Sequence, residues 1–399
     1  MFEKEAIVGF WGVRGSTPTV DRANARYGGN TPCVELIDPE GVRFILDCGT
    51  GLRSLGNRWI STAGDKSLEA HVFVTHYHWD HIQGIPFCAP LYSPKHTFHF
   101  FSFASPHLGK ESLRQVLEAQ MAQPYFPVDM SVMAAKRDFA EIAGGDQIQI
   151  GKTRIQARWL NHPQGCLGFR FETTSGTIVY ATDNEPGNAE LDRSIRELVA
   201  GADIFINDAQ YTPELLATTR KGWGHSSWLE GVSIAKEVGA KNLVLFHHDP
   251  DSSDITIDGL QREARQKFAA IWAASEGMVM TLAGPEMNVL MRPTRTGQRR
   301  NVFFRAGVTG YAEDGRAFEE KTVIRDLSLQ GALLHLKNPP RLQSELNITM
   351  EVPVDETHPE GRVALRGYVI RREPAPLDSK THFVGIIFTE DSDPDLPMR

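Results

Sequence analysis

The stretch Thr75-His76-Tyr77-His78-Trp79-Asp80-His81 places three imidazoles and a carboxylate within six residues, directly after the apolar run His71 to Val74. Imidazole and carboxylate are borderline ligands suited to Zn²⁺ and its neighbours. Alternate residues of an extended segment face one side, so His76 and His78 can share one ion. Asp80 and His81, where the chain turns into a helix, can reach a second. Two ions need more ligands than one motif offers, and the ends of other apolar runs supply them. His162 follows Arg154 to Leu160, Asp183 follows Ile178 to Tyr180, and His247 ends Asn242 to Phe246. Asp183 can place one oxygen on each ion. Of the adjacent pair His247 and His248, the first is expected to point inward.

These residues require a frame that brings distant strand ends together. Apolar runs recur up to about residue 292, each followed by polar residues: Arg43 to Leu46 before Asp47, Val72 to Val74, Ile178 to Tyr180, Ile204 to Ile206 before Asp208, and Leu243 to Phe246. They read as buried strands. Helical patterns lie between them, at Ser226 to Val238 with Ser226 or Ser227 as cap, and at Gly259 to Ala274. Strands alternating with helices predict a layered α/β domain over residues 1–292. Pro94 to Ala140, rich in Phe, Pro and Met, has no sustained period and reads as an insertion or lid, with a helix over Lys110 to Met121. The polar, basic segment Arg292 to Arg300 reads as a linker, and residues 297–399 as a small all-β domain.

Composition narrows the function. The 399 residues include 42 basic and 50 acidic side chains, a formal charge of -8, so nothing concentrates a polyanion and long nucleic acids are disfavoured partners. Cys33, Cys48, Cys88 and Cys166 form no Cys-x-x-Cys pair and suit free thiols in a reducing compartment. No long apolar segment is present, so a cytoplasmic protein without membrane partners is expected. A homo-oligomer is compatible with the sequence.

The set His76-x-His78-x-Asp80-His81, His162, Asp183 and His247 resembles the metallo-β-lactamase-fold hydrolases. That resemblance implies an αββα sandwich with a dinuclear centre at one edge. Metal one would take His76, His78 and His162; metal two would take Asp80, His81 and His247; Asp183 would bridge. Zn²⁺ is the expected ion, with Mn²⁺ as the other candidate. The oxygen-reducing di-iron branch has Glu where this chain has His78, and the penicillin-hydrolysing zinc enzymes lack the bridging aspartate. Asn207-Asp208-Ala209-Gln210-Tyr211 and Trp223-Gly224-His225-Ser226-Ser227 resemble paired motifs of the phosphodiesterase branch, which includes the tRNA 3′-end endonucleases. There an acid, usually Glu, orients a histidine that protonates the leaving oxygen; Asp208 and His225 match those positions. With Asp80, they are the expected catalytic residues. Paired ions lower the pKa of a coordinated water from about 15.7 to about 7 and neutralise phosphoryl charge. Gly9-Phe10-Trp11-Gly12-Val13-Arg14-Gly15-Ser16 and Arg26-Tyr27-Gly28-Gly29-Asn30-Thr31 also resemble the cyclic phosphodiesterases, including phosphoribosyl cyclic phosphate hydrolases, which implies a small phosphodiester substrate. Read without the resemblance, the glycines permit close backbone approach and Arg14 could bind phosphate.

Asp326-x-Ser328-x-x-Gly331 and the strand His382 to Phe388 resemble a PilZ domain, whose arginines and Asp-x-Ser-x-x-Gly motif hold cyclic di-GMP. Arg295 and Arg299 have the four-residue separation of that arginine motif, far upstream; Arg300 and Arg305 lie closer with one residue more between them. The expected function is hydrolysis of a small phosphodiester, cyclic ones included, under cyclic di-GMP control. The alternatives are a lactone, carboxylic ester or thioester hydrolase, and a catalytically idle cyclic di-GMP adaptor.

Overall fold

Consecutive residues of the buried runs enter different cores. In the computed structural model, Phe44, Leu46, Phe73, Ile178, Tyr180, Ile204, Ile206, Val244 and Phe246 share one apolar cluster, whereas Ile45 and Val72 enter a second and Val179, Phe205, Leu243 and Leu245 a third. A strand apolar on both faces needs cover on both, so the runs are continuous rather than alternating. The structure describes residues 5–388 apart from 64–65, 106, 110–111, 285, 292–299, 329–330, 343, 353–360 and 376–377.

The chain divides into two units, Met1–Val289 and Leu290–Arg399. In the first, β1 (Ala6–Gly12), β2 (Cys33–Ile37), β3 (Arg43–Leu46), β4 (Glu69–Phe73), β5 (Thr97–Ser102) and β6 (Lys136–Glu141) belong to one sheet. The second sheet is formed by β7 (Gln147–Ile150), β8 (Thr153–Leu160), β9 (Cys166–Thr173), β10 (Gly176–Ala181), β11 (Ile204–Asp208), β12 (Leu243–Phe246) and β13 (Ile271–Ala273). The chain then returns to the first sheet through β14 (Met278–Ala283) and β15 (Glu286–Met291), giving the orders β15-β14-β1-β2-β3-β4-β5-β6 and β13-β12-β11-β10-β9-β8-β7. Helices α1 (Gly51–Ala63), α2 (Trp79–Ile82), α3 (Ser112–Ala119), α4 (Ala189–Val199), α5 (Pro213–Thr218), α6 (Trp228–Val238) and α7 (Asp254–Lys267) complete it. Leu52, Leu55, Trp59, Leu113 and Leu117 of α1 and α3 cover the outer face of the first sheet. Ile195, Leu198, Val232, Ile234, Ile257 and Ala264 of α4, α6 and α7 cover that of the second. The layers are αββα. Strands β3 to β6 are parallel, as are β10 to β13, so their carboxyl ends gather on one edge, where sheets of this kind bind ligands.

Three expectations change. Residues 94–140 are not a lid: β5 and β6 extend the parallel sheet, with Phe98 and Phe100 in the outer core and Phe101 against the inner one. Aromatics on both faces of a short strand erase the period that would have marked it. Helix α7 begins at Asp254, where the Ser253 hydroxyl accepts from the Thr256 amide, and ends at Lys267 before β13, so it is earlier and shorter than Gly259 to Ala274. Arg14 is fully buried: Nε donates to the Gly28 carbonyl at 2.8 Å, and Nη1 to those of Asp249 and Ser252 at 3.0 and 2.6 Å. It ties the glycine-rich amino-terminal loop to the segment after β12 and has no face for a phosphate. Helix α6 starts at Trp228, capped by Ser227.

The second unit is a closed antiparallel barrel of β16 (Arg300–Tyr311), β17 (Ala317–Ser328), β18 (Gly331–Leu336), β19 (Glu345–Glu351), β20 (Arg362–Ala375) and β21 (Asp378–Phe388), in the order β16-β17-β18-β21-β20-β19. β19 shows the alternation that fills it: Leu346, Ile348 and Met350 face inward between exposed Glu345, Asn347, Thr349 and Glu351. The expected linker lies largely in residues 292–299, outside the described residues. Among the described residues no helix is long and apolar enough to cross a membrane.

Arg14→Met keeps the apolar stem but leaves buried carbonyls without their donor, and should lower the unfolding free energy by about 3 kcal/mol in denaturant titrations. Unchanged stability with weakened substrate binding would return Arg14 to a phosphate-binding role.

Candidate metal centre

Asp47 follows β3 and is completely buried. Its carboxylate accepts from the Thr75 amide at 2.8 Å, the Thr75 hydroxyl at 3.0 Å, His81 Nδ1 at 2.8 Å and the Tyr180 hydroxyl at 2.9 Å. These contacts align the end of β4 with the end of β10 in the opposite sheet. Burial and the Asp47 charge push the Tyr180 phenol far up, so it stays a donor.

The segment beyond β4 distributes its side chains as extended backbone followed by a helical turn requires. His78 is the extended residue before α2, and Asp80 and His81 lie within that short helix. Ligand atoms of His76, His78 and His162 gather within 4.8 Å of one another, as do those of Asp80, His81 and His247, and those of His76, His81 and Asp183. His162 Nε2 is 3.1 Å from His78 Nδ1, while His162 Nδ1 is 2.7 Å from the Gly224 carbonyl. Asp183 lies between the groups: Oδ1 is 3.8 Å from His76 Nε2 and 3.9 Å from His162 Nε2, and Oδ2 is 3.4 Å from His81 Nε2 and 3.5 Å from His247 Nε2. Asp80 Oδ2 is 3.3 Å from His81 Nε2 and 3.2 Å from His247 Nε2, and accepts from the Ser16 amide at 2.8 Å. His248 turns away, its Nε2 on the Ala274 carbonyl, and burial beside Arg14 pushes its pKa down to about 3.

This donor set fits divalent ions. His81 uses Nδ1 on Asp47, and His247 uses Nδ1 on Gln210 Oε1 at 2.8 Å, so in their neutral forms both turn lone pairs from Nε2 toward each other across 3.2 Å. Burial would lower the His81 pKa, but the charges of Asp80, Asp183 and Asp47 raise it well above its ordinary value, so this place draws positive charge, and a metal cation there removes the repulsion between the neutral rings. His76 Nε2 is buried and has no hydrogen-bond partner among the described residues. Burial and the neighbouring His81 push the His76 pKa well down, and burial brings that of His162 to about 4, so both present neutral nitrogens. Burial alone would raise the Asp183 pKa, but His247, His81 and His76 hold it well below the ordinary carboxylate range. Asp47, Asp183 and His247 adopt left-handed backbone, with φ of 60°, 56° and 58°. Non-glycine residues rarely do so, and such conformations cluster at functional sites. Two glycines give the imidazoles room: a Cβ at Gly15 would collide with the His247 ring, and one at Gly224 with His162.

Beside this cluster, His225 Nδ1 lies 2.8 Å from Asp208 Oδ2. Asp208 ends β11 and is fully buried, its other oxygen accepting from the Gln210 amide at 2.9 Å. The His225 ring stacks on His247 with centroids 5.0 Å apart, and Nδ1 is 3.5 Å from Asp183 Oδ1. Burial would lower its pKa, but the Asp208 charge and hydrogen bond, with Asp183 and Asp80 beyond, raise it to about 9. The shorter arm of Asp therefore still reaches the imidazole. The sequence reading had no role for Asp47, Thr75, Tyr180 or Gln210. Asp47 could have been found, because it ends an apolar run as Asp208 does.

In the second unit, Arg295 and Arg299 lie outside the described residues. Arg300 opens β16 opposite Leu327, and Asp326 and Ser328 close β17, opposite Asn301 and Gly331. Arg305, exposed, pairs with Val323 farther along the same ribbon.

Comparison with known proteins agrees with both units. Residues 42–248 match the family described as Beta-lactamase superfamily domain, and residues 293–396 match the PilZ domain. Ribonuclease Z of Methanopyrus kandleri is 21% identical over 310 residues, covering 70% of this chain and 98% of the relative. The metallo-beta-lactamase fold protein YhfI from Bacillus subtilis superposes with a TM-score of 0.52 at 20% identity, over 70% of this chain and 100% of its own. A diphosphatase from the PhnP family gives 0.50 at 19% identity, over 70% and 98%. Both structures share the αββα fold. The chain thus belongs to the beta-lactamase superfamily, among its metal-dependent hydrolases, and carries a PilZ domain at its carboxyl side.

Proposed function

We propose that the first unit hydrolyses a small phosphodiester at a dinuclear centre. His76, His78 and His162 would hold one divalent ion and Asp80, His81 and His247 the other, with Asp183 between them; Zn²⁺ or Mn²⁺ suits these ligands. When bound, the ions supply an activated water and neutralise charge on the phosphoryl oxygens. The protein's own part begins at Asp80 and Asp183, whose carboxylates balance the ionic charge. His225 does the proton work. Asp208 on Nδ1 fixes the ring and its tautomer, leaving the Nε2 proton for the departing alkoxide.

The observation that carries this reading is the Asp208–His225 pair at 2.8 Å beside the ligand cluster. An alkoxide leaving a phosphodiester needs a proton donor; a lactone or carboxylic ester also expels an alkoxide, but re-formation of its C=O bond helps to drive it out, so it depends on this acid less. The formal charge of -8 supports a small substrate over a long RNA, although the Ribonuclease Z relatives bring RNA into the test panel. The PilZ match supports cyclic di-GMP as a regulatory ligand of the second unit, with Arg300, Arg305, Asp326, Ser328 and Gly331 as candidate contacts beside Arg295 and Arg299.

Asp183→Ala should lose bound metal and turnover together. Asp47→Asn, with all seven ligands intact, should weaken metal affinity about 10- to 100-fold in chelator competition. Full occupancy in Asp183→Ala would remove that residue from the centre.

His225→Ala should keep its metals and slow cleavage of phosphodiesters with alkoxide leaving groups by on the order of 10² to 10⁴, with a much smaller loss on a nitrophenolate ester. Equal losses on both would argue against proton donation, and faster turnover of lactones than of any phosphodiester would favour the ester reading.

Cyclic di-GMP should bind the full chain in calorimetry and shift substrate affinity by about 5- to 150-fold if the two sites are coupled. Absence of heat at high micromolar nucleotide would leave a barrel with another role.

A further inference from the structure

Rings and charge continue outward from His225. Tyr211 stands edge-on to it with centroids 5.7 Å apart. The guanidinium carbon of Arg220 lies 5.9 Å from the Tyr211 ring centroid and 4.3 Å from that of Trp223. Trp223 is 55% exposed and Arg220 half-buried. Among the described residues, no carboxylate or carbonyl accepts a hydrogen bond from that guanidinium. The guanidinium lies over these two rings, its charge acts on Asp249 from beyond hydrogen-bond reach, and its five N–H donors in a planar fork are left for something else.

The loop that presents this arginine is held in place. Glu185, nearly buried, accepts from the Gly222 amide at 2.6 Å with one oxygen and from the Gly224 amide at 2.7 Å with the other, one on each side of Trp223. The Trp223 amide reaches back to the Arg220 carbonyl at 3.2 Å. Gly222 and Gly224 both have φ of +86°, which a side chain would oppose. An ordinary surface arginine loses side-chain entropy when it binds an anion; here the fold has already restricted it. An arginine that lies over aromatic rings, donates to no acid and is separated from His225 by the Tyr211 ring is arranged to recognise phosphate.

We propose that Arg220, backed by Trp223 and Tyr211, forms a second anion subsite that takes a phosphate of the substrate other than the scissile one, on the side that receives the proton from His225. The substrate class becomes a phosphodiester bearing an additional terminal phosphate. This rests on the phosphodiesterase reading above. The test is calorimetry on the metal-loaded full chain with adenosine 2′,5′-bisphosphate and adenosine 2′-monophosphate. The bisphosphate should bind at least about tenfold more tightly, a difference of about 1.4 kcal/mol. Arg220→Gln should bring the two affinities together, Arg220→Lys should restore part of the difference, and Trp223→Leu should reduce it. Equal affinities in the unaltered protein, binding of neither nucleotide, or a loss in Arg220→Gln that is the same for both would overturn the subsite. Turnover of bis(p-nitrophenyl) phosphate is measured in parallel. Its absence beside an intact, Arg220-dependent preference would sink the phosphodiesterase reading and leave the subsite standing.

Discussion

A carboxylate without water is costly unless its lone pairs are filled, and Asp47 fills its own from both halves of the sandwich. Thr75 and His81 donate from the segment after β4, and Tyr180 donates from β10 across the central core. Because those donors have no better acceptor within the core, the register of one sheet against the other is tied to the orientation of the His81 ring. The direction in which His81 offers Nε2, and hence the place where an ion can sit, follows from a residue outside the candidate ligand set.

The parallel strands extend this logic. In the β11–β12 ladder Asp208 is level with Phe246, which puts His247 one residue beyond the acid that holds His225. The ring of His225 then lies against that of His247, and Gln210, two residues past Asp208, reaches His247 Nδ1. One strand pairing therefore positions the proposed proton donor, a candidate ligand and the hydrogen bond that sets that candidate's tautomer. The short arm of Asp208 suffices because the ladder, rather than the side chain, covers the distance.

Much of the candidate site was legible in the sequence because it consists of unusual residue types at the ends of unusually apolar runs. His76, His162, Asp183 and His247 each interrupt such a pattern, and the structure brings them together. Other features left weaker traces. β5, Thr-Phe-His-Phe-Phe-Ser, carries aromatics on both faces, so its period vanished and the segment looked like a lid. The start of α7 depends on the Ser253 cap, in a run of Asp and Ser residues that offers several equivalent starts. Arg14 looked like a phosphate ligand because the carbonyls it satisfies, at Gly28, Asp249 and Ser252, are backbone groups with no signature in side-chain identity. Barrel strands such as β19 leave a plainer trace, since one face is polar throughout.

The left-handed backbone at Asp47, Asp183 and His247 bears on how such a centre could be built anew. A designer who transplants the seven side chains onto an idealised α/β scaffold, with regular extended geometry at every strand end, would aim at least Asp183 and His247 in the wrong directions. Rotamer choice alone cannot recover a Cβ vector that the main chain has turned aside. The transplantable unit is therefore the pair of irregular corners after β10 and β12 together with the glycines at 15 and 224 that leave space for the rings, and a scaffold lacking those corners would inherit the candidate ligands without their arrangement.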